Sequence, residues 1–226
     1  MSSIIEKITL YDFFSYLIPG TVFLSLLCLR VVQEADGSVP TEVTEHQTVL
    51  IILFLLWSFL CGMILSELAR LISDMVDRFW LKNRYILKIK ETANIDISVL
   101  KVALRQSGFE GKATVDEDEV KFLKTYLPAI YSSVQADDNY KRIHNYSSSE
   151  AMCKNLTISV LLGGLAEILY LFPRVQQGYA FCIIAMWISS VMLLAHRYYR
   201  FRIKKYAYAL IWFIEKQNIS GKKESL

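Results

Sequence analysis

The chain has few of the residues that build metal sites or disulfide frameworks. Its 226 residues include four cysteines and three histidines, and no two cysteines form a C-x-x-C pair. Cys28, Cys61 and Cys182 fall inside apolar stretches, and Cys153 lies just before another. The spread of the cysteines indicates that they serve as small apolar residues of the membrane core. We therefore expect no metal, no cofactor and no disulfide.

Enzyme signatures are absent as well. The sequence contains no G-x-S-x-G, no H-E-x-x-H and no phosphate-binding glycine loop of the G-x-x-x-x-G-K type. Alternating strand patterns do not exceed a few residues, and there is no internal repeat. We therefore expect an all-α protein that is not an enzyme.

Charge is missing from long parts of the chain. Thr48–Leu65 has eighteen residues without a charge and Tyr179–Ala195 has seventeen, while Phe13–Cys28 and Leu156–Phe172 are similarly apolar. A helix rises about 1.5 Å per residue, so roughly 20 apolar residues cross a hydrocarbon core of roughly 30 Å. The sequence predicts an all-α integral membrane protein with four transmembrane helices, and hence a lipid bilayer as its surroundings.

Lysine and arginine are distributed unevenly between the predicted loops. The loop 33–47 has none, whereas residues 66–154 hold fourteen and the tail from Arg197 holds eight against two acidic residues. Basic residues are retained on the cytoplasmic side of membranes. Both termini and the segment 66–154 are therefore predicted to be cytoplasmic.

These observations divide the chain into six regions. We expect an interfacial helix and the first span in residues 1–32, an external loop in 33–47, the second span in 48–65, a cytoplasmic helical insert in 66–154, the third and fourth spans in 155–196, and a basic helical tail in 197–226. Apolar periodicity also predicts that the second and fourth spans continue as helices beyond the membrane.

Within the cytoplasmic insert, two further helices are expected. One covers residues 97–106 and ends at Ser107-Gly108, and another covers about 115–131, where Pro128 should bend or end it. Ser147 and Glu150 have the spacing of a capping box, which predicts that the helix of the third span starts already within the cytoplasmic insert.

Small residues recur at four-residue spacing in two of the spans. They are Ser58, Gly62 and Ser66 in the second span, and Ser159 and Gly163, with Gly164 alongside, in the third. Such faces allow close approach of helices in lipid. The approach could be within one four-helix bundle or between subunits, and the spacing allows both.

Two features interrupt the apolar spans. Pro19-Gly20 should kink or break the first span, either as a tolerated irregularity or as a hinge or pore constriction. Glu167 lies near mid-depth of the third span, where a carboxyl group is costly unless it is used or protonated. Together with Ser159 and Gly163, these residues are the candidates for pore lining or gating.

Two charged clusters lie outside the spans. The acidic group Asp116, Glu117, Asp118 and Glu119 is a candidate surface for docking a partner. The basic residues Arg197, Arg200, Arg202, Lys204 and Lys205 alternate with aromatic residues and could contact lipid headgroups or a nucleotide. We favour lipid headgroups, and no direct binding of nucleic acid is expected.

The segment Tyr11–Gly20 (YDFFSYLIPG), two spans, a cytoplasmic helical insert, two more spans and a basic aromatic helix follow one another in this chain. This layout resembles small four-span membrane proteins of bacterial antiphage defence operons, such as the membrane subunits of Hailong- and Kiwa-type systems. The resemblance implies an inner-membrane homo-oligomer, with a tetramer as the expected form, that responds to a soluble cytoplasmic partner or a nucleotide-type signal. It would act as a gated channel that disrupts membrane potential or, alternatively, as a sensor and scaffold that detects envelope disturbance and docks a soluble effector.

Overall fold

The computed structural model describes residues 10–34, 47–79, 84–108, 119–135, 141–171 and 177–224. Within these residues all regular secondary structure is helical, which confirms the all-α prediction for the described part of the chain. The seven helices there are α1 (Leu10–Glu34), α2 (Gln47–Phe79), α3 (Arg84–Ala93), α4 (Ile97–Gln106), α5 (Glu119–Gln135), α6 (Lys141–Leu171) and α7 (Gln177–Glu224).

Among the described residues, three helices are long and apolar enough to cross a membrane. The qualifying segments are Gln47–Val76 of α2, Ile143–Tyr170 of α6 and Tyr179–Gln217 of α7. The apolar part of α1, Phe13–Leu29, is shorter. Large apolar side chains such as Trp57 and Phe181 are exposed on these helices, as expected for surfaces that lipid would cover.

The extension of the apolar helices agrees with the predictions, but several helix ends do not. Both α2 and α7 continue well past their apolar stretches. Pro19 and Pro128 lie inside α1 and α5, so neither proline ends its helix, and α5 runs on to Gln135. The helix of the third span begins before its apolar stretch, as predicted, but it starts at Lys141, so Ser147 lies inside the helix and is not its cap.

Helix α4 shows how local sequence sets a boundary. Asp96 has extended backbone angles and accepts a hydrogen bond from the Ser98 N–H at 3.1 Å, which satisfies a donor that the first turn leaves open. At the other end Gly108 has φ +74° and donates its N–H to the Arg105 carbonyl at 3.2 Å. A left-handed glycine is the common way to end a helix, so the predicted limits 97–106 are confirmed.

The chain divides into two compact units. The first unit contains residues 1–75 and 148–199, and the second contains 76–147 and 200–226. In the first unit Leu65, Ala69 and Ile158 form a buried cluster, against which Phe23 and Leu162 pack. Helices α1, α2 and α6 therefore meet around a small apolar core.

The second unit has a core of larger side chains. Its fully or nearly fully buried residues include Ile86 and Ile89 of α3, Leu100 of α4, Phe122 and Ile130 of α5, and Ala207, Leu210 and Phe213 of α7. In α5 the buried positions recur on one face of the helix, which is the amphipathic pattern of a globular domain.

Candidate functional site

Helices α1 and α2 touch through their backbones. A methyl group placed on Gly20 would overlap the main-chain carbonyl of Ser58, and one placed on Gly62 would overlap the carbonyl of Tyr16. Beside this contact the rings of Phe13 and Phe59 stack with centroids 5.3 Å apart. Gly62 thus lies against a helix of its own chain, where only glycine leaves room for the neighbouring backbone.

The break expected at Pro19 is bridged by a side chain from a third helix. Proline has no N–H, so Pro19 cannot donate the usual helical hydrogen bond to the carbonyl of Ser15, four residues earlier. Asn155 of α6 donates its Nδ2 hydrogen to that carbonyl at 3.1 Å. Pro19, Ser15 and Asn155 are all buried, with Asn155 fully enclosed. An apolar environment requires such internal satisfaction of backbone groups.

We call this cluster of Ser15, Pro19, Gly20, Ser58 and Asn155 the Pro19 joint. Two of its buried polar atoms, Asn155 Oδ1 and Ser58 Oγ, have no hydrogen-bond partner among the residues that the structure describes. An unsatisfied buried polar group costs about 1–3 kcal/mol. The joint therefore combines one inter-helix hydrogen bond with two buried polar atoms that the described residues leave unpaired.

Two predicted gating residues lie on the same side of α6 as Asn155. Ser159 is fully buried and donates its hydroxyl hydrogen to the Asn155 carbonyl at 2.9 Å. Gly163 faces Leu26 of α1, whose Cδ1 would lie 2.6 Å from a Cβ added to the glycine. Pro19, Gly20, Ser159 and Gly163 therefore come together inside one chain.

The remaining small or polar residues of the spans lie elsewhere. Gly164 contacts the indole of Trp187, which donates its Nε1 hydrogen to the Val160 carbonyl at 2.7 Å and so joins α7 to α6. Ser66 is half-buried on α2, and Glu167 is half-buried on α6. Glu167 is not part of the Pro19 joint.

The predicted docking surface is only partly visible. Asp116, Glu117 and Asp118 lie outside the described residues. Glu119 begins α5 and forms an ion pair with Lys90 of α3, with 2.6 Å between the carboxylate oxygen and the ammonium nitrogen. Glu119 is therefore engaged within the second unit.

The basic residues of α7 divide into two groups. Arg197 and Arg200 are exposed. Arg202, Lys204 and Lys205 lie over tyrosine rings of the second unit, those of Tyr85, Tyr146 and Tyr131, at 5.1, 5.8 and 5.2 Å from the ring centroids. Lys205 retains only 9% of its exposure and also lies 4.6 Å from the ring centroid of Tyr206. Cation–π contacts with these rings give the basic residues a structural role.

Sequence reasoning missed Asn155 and Ser15. A signal was present, since the helical hydrogen-bonding rule identifies Ser15 as the acceptor that Pro19 leaves open. Asn155 lies one turn before Ser159 on the face that carries Gly163, as a polar residue at the start of an apolar stretch. Which span supplies the donor is a tertiary fact that the spacing alone does not determine.

No protein-family model, curated protein or solved structure matches this chain. In the described part of the chain, no group of three or more His, Cys, Asp or Glu side chains could hold a metal ion. The arrangement on which a functional argument can rest is therefore the Pro19 joint.

Proposed function

We propose that this chain is a four-span inner-membrane protein of a bacterial antiphage defence system, acting as an oligomeric gated channel-type effector. Helix α1 supplies the fourth span through Phe13–Leu29. Residues 66–154 and both termini lie in the cytoplasm, where the basic residues are concentrated. A soluble partner or a nucleotide-type signal drives the change of state, and the resemblance in layout supports the biological setting.

The Pro19 joint is the observation that carries the gating proposal. A proline inside a membrane helix weakens the helix at that point, and the neighbouring helix must supply what is lost. Here a single side chain, Asn155, supplies it from α6. Helix α1 can therefore adopt two arrangements at Pro19, one with the hydrogen bond to Asn155 and one without it. A gate requires two such arrangements.

The energy of this bond sets the expected scale of the effect. Hydrogen bonds between membrane helices contribute about 0.6–2 kcal/mol. A change of 1 kcal/mol shifts a two-state equilibrium about fivefold, while full switching from 1:99 to 99:1 needs about 5.5 kcal/mol. Loss of Asn155 should therefore raise the resting activity without fixing the gate open.

The outward surfaces of the spans favour a closed resting state. The exposed residues of α2 and α7 are mostly large and apolar, such as Trp57, Met186 and Met192, and suit contact with lipid. Because these outward faces offer little polar lining for an aqueous path, conduction requires a rearrangement of the helices. Glu167, half-buried on α6, is the polar residue that we propose enters the conducting path.

A sensor and scaffold is the second candidate, and one observation favours it. Pro19, Gly20, Ser159 and Gly163 pack against helices of their own chain, so these four candidates do not form an exposed polar face. In this alternative the joint still changes arrangement when the envelope is disturbed. The change is then passed to a docked soluble effector, and no ion path opens.

The test compares Asn155→Leu with Asn145→Leu, which makes the same substitution at an exposed position of the same helix. Ion leak is measured in liposomes containing the purified full chain, and phage protection is measured in cells. For a gated channel we expect Asn155→Leu to raise the resting leak about fivefold, because a bond of about 1 kcal/mol is lost. Asn145→Leu should behave as wild type.

The other outcomes separate the alternatives. Unchanged leak combined with lost protection in Asn155→Leu would contradict the channel and favour the sensor. Unchanged leak and unchanged protection would remove the Pro19 joint from either function. Membrane recovery and oligomer size of both variants are measured in parallel, so that a failure of assembly is recognised.

A further inference from the structure

A groove on the first unit combines an apolar wall with a charged end. It has a volume of about 350 Å³ and is lined by Tyr16 of α1 and by Phe59, Met63, Ile64, Ser66 and Glu67 of α2. Met63 and Glu67 are four residues apart on α2, which is about 6 Å of helix rise. The groove thus changes from apolar to charged within one turn of α2.

The charged end lies where the uncharged part of α2 stops. Glu67 is the first charged residue after the apolar stretch 48–65. With α2 placed across the membrane as proposed above, this is the headgroup level of the cytoplasmic leaflet. The apolar wall of the groove then lies at the depth of the acyl chains.

Glu67 is paired with a base of opposite charge. Its Oε2 accepts a hydrogen bond from Arg70 Nε at 3.0 Å and lies 3.0 Å from Arg70 Nη2 in an ion pair. The two side chains are 68% and 60% exposed, and exposed pairs of this kind contribute little to stability. Both charges therefore have free sides that another molecule can reach.

We propose that this groove binds a zwitterionic glycerophospholipid that carries a primary ammonium group. One acyl chain would lie along Phe59, Met63 and Ile64. The ammonium would donate hydrogen bonds to Glu67, and the phosphate would accept from Arg70. The ammonium and the phosphate of the headgroup are neighbours, as are Glu67 and Arg70, so each charge of the lipid meets an opposite charge of the protein. Charge-assisted hydrogen bonds of this type are stronger than those between neutral groups.

The prediction concerns selectivity among headgroups. A quaternary choline headgroup cannot donate hydrogen bonds to Glu67, and a glycerol headgroup has no cation. Bound lipids are counted by native mass spectrometry on the detergent-purified full chain, titrated separately with phosphatidylethanolamine, phosphatidylcholine and phosphatidylglycerol. We expect phosphatidylethanolamine to bind about tenfold more tightly than the other two, the size of effect of one charge-assisted hydrogen bond.

Matched variants locate the site. Glu67→Gln should abolish the preference, whereas Asp74→Asn, at an exposed acid of the same helix, should keep it. Met63→Trp should fill the groove and weaken binding of all three lipids. Leu71→Trp, at an exposed apolar position two turns further on, should leave binding unchanged.

Equal binding of the three lipids would mean that the protein holds only non-specific surrounding lipid, and it would overturn the proposal. A preference that survives Glu67→Gln would overturn it as well, as would binding unaffected by Met63→Trp. Because Glu67 and Met63 are exposed, these variants should still fold. The measurement involves no ion leak, so its failure and a failure of the channel proposal can be told apart.

Discussion

In the described part of the chain two helices contain a proline in their interior, and the surroundings of the proline differ between the two units. In α5 of the second unit, Pro128 and Lys124, whose carbonyl the proline leaves open, are both exposed, so water can hydrate that carbonyl. In α1 of the first unit, Pro19 is fully buried, and the Ser15 carbonyl accepts a hydrogen bond from the Asn155 side chain. The same backbone defect requires a dedicated partner only where water is absent.

The two units also differ in what packs together, which is backbone at the contact of α1 with α2 in the first unit and large side chains in the second. The first unit brings backbones together at Gly20 and Gly62. The second buries large side chains such as Phe122 and Ile130 in a core like that of a soluble domain. Burial of apolar side chains drives folding where the alternative is water, whereas close contact and hydrogen bonds must hold helices where the alternative is lipid.

The largest effect should come from Gly62→Leu. The new side chain would meet the main chain of Tyr16, which cannot move aside as a flexible side chain would. Overpacking costs typically 1–3 kcal/mol, and we expect about 3 kcal/mol here because backbone is the obstacle. Unfolding of the purified protein by increasing fractions of denaturing detergent measures this loss.

Met63→Leu is the control for this experiment, since Met63 is exposed on the next position of the same helix. It should unfold within about 0.5 kcal/mol of wild type. If Gly62→Leu lost only its oligomeric state while the monomer unfolded normally, the glycine would pack between subunits. That outcome would undo the contrast between the two units.

An intermediate effect should appear as coupling between Pro19 and Asn155. Pro19→Ala restores an N–H that can bind the Ser15 carbonyl, so Asn155→Leu should be less harmful in that background. We expect a coupling free energy of about 1 kcal/mol in a double-mutant cycle, measured by the same unfolding assay.

The second proline supplies the control. Pro128→Ala and Asn155→Leu share no partner, so their effects should add within about 0.5 kcal/mol. Additive behaviour of Pro19→Ala and Asn155→Leu would show that the hydrogen bond to Ser15 contributes nothing. The comparison of the two prolines would then fail.

The smallest effect should be the titration of Asp96 in the second unit. Hydrogen bonds from Ser98, the backbone N–H first, hold the pKa of this carboxyl below its ordinary value. The contribution of the cap to stability is therefore fully present above the ordinary value and is lost as the pH falls through the lower, folded-state pKa. The chemical shift of the Ser98 amide proton, followed from about pH 6 down to about pH 2, reports this loss.

Asp96→Asn separates charge from hydrogen bonding. Asparagine also caps helices but does not titrate, so the Ser98 amide should keep its cap throughout the acid range. A Ser98 shift that moved with pH in the same way in both proteins would assign the change to another group. The cap would then not depend on the ionised carboxylate.

The sequence predicts those parts of the fold that follow from local pattern. The uncharged stretch 48–65 and the turn at Ser107-Gly108 predict α2 and the end of α4, because length and backbone preference are local properties. The interruption of helical hydrogen bonding at Pro19 is predicted for the same reason. The hydrogen bond from Asn155 to the Ser15 carbonyl is not predicted, since the donor lies in another helix and only the packing of the helices brings the two residues together.

The basic tail shows the same limit for side-chain roles. A run of basic and aromatic residues has the composition of a membrane surface segment. In the structure Lys205 is buried against the rings of Tyr131 and Tyr206. Tyr131 belongs to α5, so the partner that decides the role of Lys205 is far away in sequence.

The hydrogen bond between Asn155 and Ser15 also has a consequence for biosynthesis. The two residues are 140 positions apart, and ribosomes add roughly 5–20 residues per second, so Asn155 is made roughly 7 to 28 seconds after Ser15. During that interval the Ser15 carbonyl of the nascent α1 lacks the hydrogen bond that Asn155 later donates. Helix α1, although it is made long before α6, then reaches its final packing only after α6 has been made, and an incomplete chain that stops before α6 would lack the residue that secures it.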